Sequence, residues 1–478
     1  MKKRTKIVCT IGPACENIEK ITAMVKAGMN IARLNFSHGT YENHQMLIEH
    51  IRSVGKKTGE PIAVLQDLQG PKIRVGVLPG EGIELKEGDT VIFDTSIDSY
   101  KGAAIPVDYK ELHTHVQSGE RLLLNDGRTG TKIESVEGTR ISAKVLNSGS
   151  ITSHKGINIP DSHLSVSSLT EKDKKDARFG VEQKVDLMAL SFVTSAKDIL
   201  DLRYLIKEYE KECGIVSDQP IRIIAKIERG KAVQNILEIL EVVDGIMVAR
   251  GDLGIEIPAA EVPLTQKKLI DLALDHAKPV IVATQMLDSM QNNPRPTRAE
   301  VSDVANAVID HADAVMLSNE TATGKYPVET VQTMSEIIEK TEESAYDDLH
   351  PRENPHKKHS VDEVISRMSR MAAEDLGAKL ILAASISGET GRLISRNRPE
   401  FPVVVATNSE RTERQLNLSW GLAPFVLPPC RTIEELVERS MVYLKKHKQV
   451  KKGDKIIVVA GEPVGESGHV NVLEVREV

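Results

Sequence analysis

In this chain the side chains able to do chemistry stand at the ends of short apolar runs rich in Val, Ile and Ala. Thr10-Ile-Gly-Pro13 follows the first run, and Arg33 with Asn35, Ser37, His38 and Gly39 closes the second. Asp67 ends the third and Ser191-Phe192 the fourth. Lys226 and Glu228 belong to the fifth, Arg250-Gly-Asp252 to the sixth, Thr284 to the seventh and Ser318-Asn-Glu320 to the eighth. Cations and carboxylates brought to one rim would hold a phosphorylated substrate between positive side chains and a carboxylate-bound divalent metal. Taken singly, each has a plainer reading. Glu228 and Asp252 in isolation read as ordinary solvated strand-end charges, and Lys226, after five mostly apolar residues, equally as half of a structural ion pair. Asn35, Ser37 and His38 suit a turn, and Thr284 a helix cap. The chemical reading rests on their occurring together.

The elements that must bring them together are legible as alternating strands and helices. Strands are expected at Thr5–Cys9, Asn30–Leu34, Pro61–Gln66, Asp186–Leu190, Ile221–Lys226, Gly245–Ala249, Pro279–Ala283 and Ala314–Leu317. Amphipathic helices such as Ile18–Ala27, Ala196–Glu210 and Thr330–Lys340 follow most of them. Thr297-Arg-Ala-Glu300 reads as a capping box. Eight such units predict the α/β class and a (β/α)8 TIM barrel, with its site at the carboxyl ends of the strands. Residues 1–70 and 156–345 make up that barrel on this reading.

Residues 71–155 break the rhythm with short alternating segments, among them Gly82-Ile-Glu-Leu85, Thr90-Val-Ile-Phe93 and Arg140–Val145. With Gly-centred turns such as Asn125-Asp-Gly127, they predict an inserted β-barrel lid domain at the barrel mouth. Thr341–Ser360 is polar, contains Pro351 and Pro355, and reads as a linker. Strands at Lys379–Ala384, Pro402–Ala406, Ala423–Leu427, Lys455–Ala460 and Val470–Val478 then predict a smaller C-terminal α/β domain over residues 346–478.

Composition narrows the function. Across 478 residues, 62 Lys and Arg face 69 Asp and Glu, a net charge of −7 that argues against a general nucleic-acid binder. Aromatics at 3% offer no base-stacking platform. No apolar run has the length of a membrane span, and the basic start Met1–Lys6 leads into a strand pattern rather than a signal-peptide core. Cys9, Cys15, Cys213 and Cys430 show no metal spacing, which predicts reduced thiols in a cytoplasmic protein. Nucleotide motifs of other folds are absent: there is no GxxxxGK[ST], no HRD and no DFG. The run Gly461-Glu-Pro-Val-Gly465-Glu-Ser-Gly468 lacks GxGxxG spacing and reads as a terminal loop.

Five segments together carry a resemblance. Thr5-Lys-Ile-Val-Cys-Thr-Ile-Gly-Pro-Ala14, Ala32-Arg-Leu-Asn-Phe-Ser-His-Gly39, Asp244–Gly254, Val282-Ala-Thr-Gln-Met-Leu287 and Met316-Leu-Ser-Asn-Glu-Thr-Ala322 closely resemble the pyruvate kinase family. The likeness runs from Thr5 to the end of the chain, without the extra C-terminal domain of some bacterial members. It implies phosphoryl transfer from phosphoenolpyruvate to ADP, giving pyruvate and ATP in glycolysis, by a cytoplasmic homotetramer.

Roles follow at matching positions. Glu228 and Asp252 would hold Mg2+ or Mn2+; Lys226 and Arg33 would face the phosphoryl group. Gly251 and Asp252 amides would take the substrate carboxylate beside Thr284, with Thr284 or Ser318 relaying a proton through water. Asn35, Phe36, Ser37, His38, Arg74 and Lys155 resemble the nucleotide-binding positions. Asn35, Ser37, Asp67 and the Leu68 carbonyl match the family's potassium pocket, but Lys72 stands where potassium-dependent members carry Glu. An ammonium there supplies the positive charge itself, so potassium independence is expected. Ser385, Ser387, Gly388 and Thr390 resemble the effector loop, implying a sugar phosphate or AMP as activator, with a second wall near His447 and Gly461–His469. Two other classes compete: a metal-dependent lyase or aldolase working through a pyruvate enolate, and a non-catalytic metabolite sensor. The retained rim residues speak against the sensor, and a lyase has no need of Lys226 or a nucleotide-gripping insert.

Overall fold

Val- and Ile-rich runs form extended, fully buried strands because both faces of a barrel wall are covered. In the computed structural model, which describes residues 3–125, 127–162, 168–216, 219–349, 359–461 and 470–478, eight parallel strands close into one barrel in sequence order. They are Lys6–Thr10, Ile31–Asn35, Ala63–Asp67, Leu187–Leu190, Arg222–Ile227, Gly245–Ala249, Val280–Ala283 and Ala314–Leu317. Alternate side chains point inward, so Val8, Ile31, Leu65, Ile224, Met247, Ile281 and Met316 fill the interior. The others, such as Ile7, Val64, Val248 and Val282, pack outward on the helices. The capping box at Thr297 forms, its hydroxyl and the Glu300 carboxylate exchanging bonds with each other's backbone N–H.

Four strands run one residue further toward the rim than their pattern predicts, to Thr10, Asn35, Asp67 and Ile227. Thr10 pairs with Arg33, and Asn35 with Asp67, in the same parallel ladders. Polar residues close the pattern on paper, yet their backbones continue the sheet, which fixes their side chains as rigidly as the core's.

The inserted segment forms a seven-stranded sheet from Ile73 to Asn158 with its own core around Phe93, Ile105, Leu122 and Ile141. An isolated bridge between Val75 and Val107 brings its two edges together, as a barrel requires. Its entry is Gly70, at φ +69°, where a Cβ would meet Phe192 Cδ2 at 2.8 Å. A side chain there would clash, which is why glycine occupies the hinge. At its far tip, the position of a Cβ on Gly127 lies 3.4 Å from Ile255 on the barrel rim. Asp126 of the predicted Asn125–Gly127 turn lies outside the described residues.

The C-terminal sheet orders its strands Leu422–Val426, Val403–Thr407, Leu380–Ala384, Lys455–Ala460 and Val472–Glu477, the last antiparallel. The predicted linker at Thr341–Ser360 is partly structured. Thr341 and Glu342 end the helix Pro327–Glu342, and buried Glu342 accepts bonds from the Arg4 and Thr5 backbones. Those contacts tie the helix to the first strand, a long-range partnership that a local polar pattern does not reveal. Pro351 and Pro355 lie outside the described residues.

Buried charge anchors this domain beneath the barrel. Asp186 takes Arg414 at 2.9 Å and Arg52 at 2.8 Å, while fully buried Arg398 meets Asp313 at 3.1 Å. Leu418 packs with the inward-facing barrel residues. Arg222, at the foot of the fifth strand, bonds Asp244 at 2.7 Å and donates to the Ser387 carbonyl at 3.0 Å. Burial pushes the Asp244 carboxyl up, but Arg222 and Arg203 outweigh it and hold the pKa at about 2. A folded-state value below the ordinary 3.8 adds stability that is present above about pH 4 and is lost as pH falls toward 2. Asp244→Asn is therefore expected to flatten the acid limb of a thermal-midpoint-versus-pH curve between pH 4 and 2. An unchanged limb would count against this pair.

Candidate active site

Lys226 sits in the fifth strand opposite Met247 of the sixth. Its Nζ lies 2.9 Å from Glu228 Oε1 and 3.3 Å from Asp67 Oδ1, and it donates to Ser191 Oγ at 2.8 Å. Asp67 Oδ2 accepts the Arg33 Nε–H at 2.6 Å, and Arg33 Nη1 donates to Thr10 Oγ1 at 2.8 Å. Asp67 Oδ1 has no hydrogen bond, so its approach to Lys226 is an ionic contact only. Side-chain exposure is 13% for Lys226, 2% for Glu228 and 1% for Asp67, so these charges are screened little by water. Burial pushes the Lys226 pKa down, but Asp67 and Glu228 together raise it above the ordinary lysine range. Burial likewise pushes Asp67 up, and Lys226 with Arg33 brings it below the usual carboxylate value. Lys226 is held as a cation.

Beside this cluster opens a cleft of about 1360 Å³, lined by Asn35, Lys72, Gly251, Asp252, Thr284 and Ser318 among others. Asp252 lies in the short helix Arg250–Glu256 that begins where the sixth strand ends. Burial and the nearby Asp252 charge raise the Glu228 carboxyl against the pull of Lys226. A buried carboxylate repelled by a second one has a place for a hard cation between hard oxygen donors. Among the described residues no three His, Cys, Asp or Glu side chains cluster for a metal. The pair therefore fits magnesium or manganese, which take one or two carboxylates and fill the other positions with substrate and water oxygens.

Thr284 has φ +74° and Gln285 φ +54°, left-handed values that a β-branched residue rarely adopts. The geometry is held from two sides. Thr284 Oγ1 accepts the Gly251 N–H at 2.8 Å, and its carbonyl accepts Arg250 Nη2 at 2.8 Å. The Arg250 fork closes on Asp303 at 2.6 and 2.7 Å. Asp303 was not legible from sequence, since it lies 53 residues beyond Arg250 on another helix. Ser191 stood out only as a strand end. Here its hydroxyl donates to the Leu68 carbonyl at 2.7 Å and receives Lys226.

The remaining candidates divide. Asn35 Oδ1 accepts the Ser37 N–H at 3.1 Å, and the His38 carbonyl faces His44 Nε2 at 2.9 Å, so the turn is self-bonded as well as at the rim. The Phe36 ring is not at the cleft: it stacks on His44 at 4.0 Å in the core, an apolar side chain following the strand's alternation. Arg74 donates to the His154 carbonyl at 3.0 Å, and Lys155 is exposed on the neighbouring strand segment.

In the C-terminal domain Ser385, Ser387 and Thr390 line a cavity of about 200 Å³ with Thr407 and Asn408. Gly388, at φ +82°, turns the chain into the helix Glu389–Ser395. Gly461 lines this cavity too, but His447 does not: it packs on Tyr443 at 4.1 Å, one helical turn away on its own helix. Residues 462–469 lie outside the described residues, including most of the Gly-rich run.

A closed barrel with buried cations and a carboxylate pair at its carboxyl rim has the layout of an enzyme that handles an anionic substrate on a (β/α)8 scaffold. The family model for the pyruvate kinase barrel domain matches residues 2–331, and that for the pyruvate kinase alpha/beta domain matches residues 363–476. The chain is 43% identical over 479 residues to a pyruvate kinase of Geobacillus stearothermophilus, covering all of this chain and 80% of that one. It is 41% identical over 481 residues to that of Clostridium acetobutylicum, covering both in full. A crystal structure of a pyruvate kinase from Cryptosporidium parvum superposes with a TM-score of 0.91 at 35% identity, over 100% of this chain and 96% of that one. This chain belongs to the pyruvate kinase family.

If the Arg250–Asp303 fork fixes Thr284, Asp303→Ala should lower pyruvate formation by about tenfold to a hundredfold, since small misplacements at a reacting centre are costly. Far-ultraviolet circular dichroism should not change. A rate within twofold of the parent would refute the clamp.

Proposed function

We propose that this chain transfers the phosphoryl group of phosphoenolpyruvate to ADP, with the buried Lys226–Asp67–Glu228 cluster as its centre. The observation that supports this most directly is a lysine kept cationic by two buried carboxylates at the barrel rim. Glu228 and Asp252 would hold Mg2+ or Mn2+, which when bound would supply Lewis-acid charge for the transferring group and the leaving enolate. Lys226 and Arg33 face the transferring group, where positioning and electrostatics dominate the barrier. The bond from the enol oxygen to phosphorus breaks as one forms from a terminal ADP oxygen, and C3 of the enolate then takes a proton to give pyruvate. The Asp252 amide takes the carboxylate beside the Gly251 N–H, which Thr284 Oγ1 already holds, and Thr284 or Ser318 relays the proton through water. Asn35 to His38, with Arg74 and Lys155 of the insert, take the nucleotide, Phe36 through its backbone alone.

The same reading makes catalysis independent of potassium. Lys72 lines the cleft beside Asn35, the Leu68 carbonyl already accepts the Ser191 hydroxyl, and Asp67 faces two cations. Those contacts put positive charge and a hydrogen bond on oxygens of the pocket that a potassium ion would share. The C-terminal cavity takes a sugar phosphate or AMP through hydroxyls and amides. No Lys or Arg lines it among the described residues, which favours one phosphate over two. A homotetramer and a cytoplasmic location complete the proposal. Four free cysteines are consistent with a reducing compartment. Among the described residues no helix is long and apolar enough to cross a membrane.

The first test is ADP-dependent pyruvate formation from phosphoenolpyruvate and Mg2+ in paired buffers with and without potassium. Equal rates are expected; a potassium requirement would discard the role of Lys72, and no pyruvate in either buffer would discard the reaction. Lys72→Glu is expected to make the rate rise with potassium by about tenfold or more, the effect of exchanging a resident cation for a recruited one. Lys226→Met should cut kcat by about a thousandfold with little change in KM, because its charge acts mainly in the transition state. A KM effect alone would contradict that role.

A further inference from the structure

Phe192 adopts a backbone conformation that a bulky residue rarely takes. Its φ is +56°, in the left-handed region where Cβ crowds the carbonyl oxygen. Such a residue persists only where its surroundings over-determine it. Here the Phe192 N–H donates to Glu228 Oε2 at 2.8 Å, so the strained turn aims a backbone donor at the buried carboxylate.

The ring has two close neighbours from other parts of the chain. Gly70, at the entry to the inserted domain, leaves so little room that a Cβ there would stand 2.8 Å from Phe192 Cδ2. The Arg229 guanidinium lies over the ring, 5.1 Å from its centroid. Among the described residues the Arg229 side chain has no hydrogen-bond partner, and its Nε is buried without one. It lines a pocket of about 270 Å³ shared with Lys231, Glu256, Ile73 and Ile157. A guanidinium whose buried Nε–H goes unpaired is held in place by something else, and the stack on Phe192 is the contact available to hold it.

We infer that Phe192, clamped between Gly70 and Arg229, is a positioning residue that orients Glu228 toward the divalent ion. Glu228 Oε1 is taken by Lys226, so the bond to Oε2 fixes the second degree of freedom of the carboxyl plane. Groups that orient a metal's ligands commonly change metal affinity when lost. The inference rests on Glu228 being a metal ligand, as proposed above.

Charge alone makes the opposite forecast. Removing a cation close to a metal site should tighten cation binding, whereas loss of an orienting clamp should weaken it. The experiment is Mn2+ binding to the full-length chain, read from the free-ion electron paramagnetic resonance signal without substrates. Arg229→Met and Phe192→Leu are expected to weaken Mn2+ binding by about tenfold. Arg229→Lys, which keeps a cation over the ring, should recover most of it. Arg229→Met that binds Mn2+ as well as or better than the parent overturns the clamp. A Glu228→Gln variant separates the two claims: lost binding supports the ligand reading, while parental affinity overturns that reading and this inference with it.

Discussion

The structure depends above all on burying the ionised Arg33, Asp67, Lys226 and Glu228 at the barrel mouth with an opposite charge beside each. Removing a carboxylate or ammonium from water costs several kcal/mol even after relaxation, and the loss is offset only where partners are fixed in good geometry. Arg33 and Lys226 share Asp67, and Lys226 also meets Glu228. Each of these four residues is carried on, or immediately after, a strand whose register is set by parallel ladders on both sides. A loop could not hold that arrangement, because the entropy of ordering it would add to the desolvation penalty.

Neighbouring features follow from that constraint. Ser191 spans Lys226 and the Leu68 carbonyl, filling lone pairs that would otherwise be buried unmet. Phe192 bends into a left-handed turn to reach Glu228. Thr284 does the same on the opposite wall, supported by Gly251 and the Arg250 fork. Two strained residues flank the proposed chemistry, and both are over-determined by hydrogen bonds. The pattern is that of a site whose orientation is set before substrate arrives.

The amino ends of the strands solve the same problem for a different purpose. Asp186, Asp244 and Asp313 are each met by arginines, several from the C-terminal domain. Arg222 joins the two ends of the molecule most directly. It belongs to the strand that carries Lys226, and it donates to the carbonyl of Ser387 at the C-terminal cavity.

The sequence by itself determined the periodicities. Eight apolar runs in a β/α rhythm, a stretch of short alternating segments and a second set of strands were legible because burial of both faces, or of one, leaves a pattern of period two or none. Most of the rim residues were legible for the same reason, since Arg33, Asp67, Lys226 and Thr284 interrupt or end runs that packing alone would keep apolar. The family motifs then named the reaction. What only the tertiary structure decided is which of these groups share a proton or a charge. The Asp67–Lys226 contact joins positions far apart in the chain, as do Arg250–Asp303 and Glu342–Thr5. The family resemblance puts Phe36 and His447 at or near binding sites, yet one ring faces the core and the other its own helix. Local pattern encodes which face of an element is buried. Partnership across elements depends on how the barrel closes, and that is a property of the whole fold.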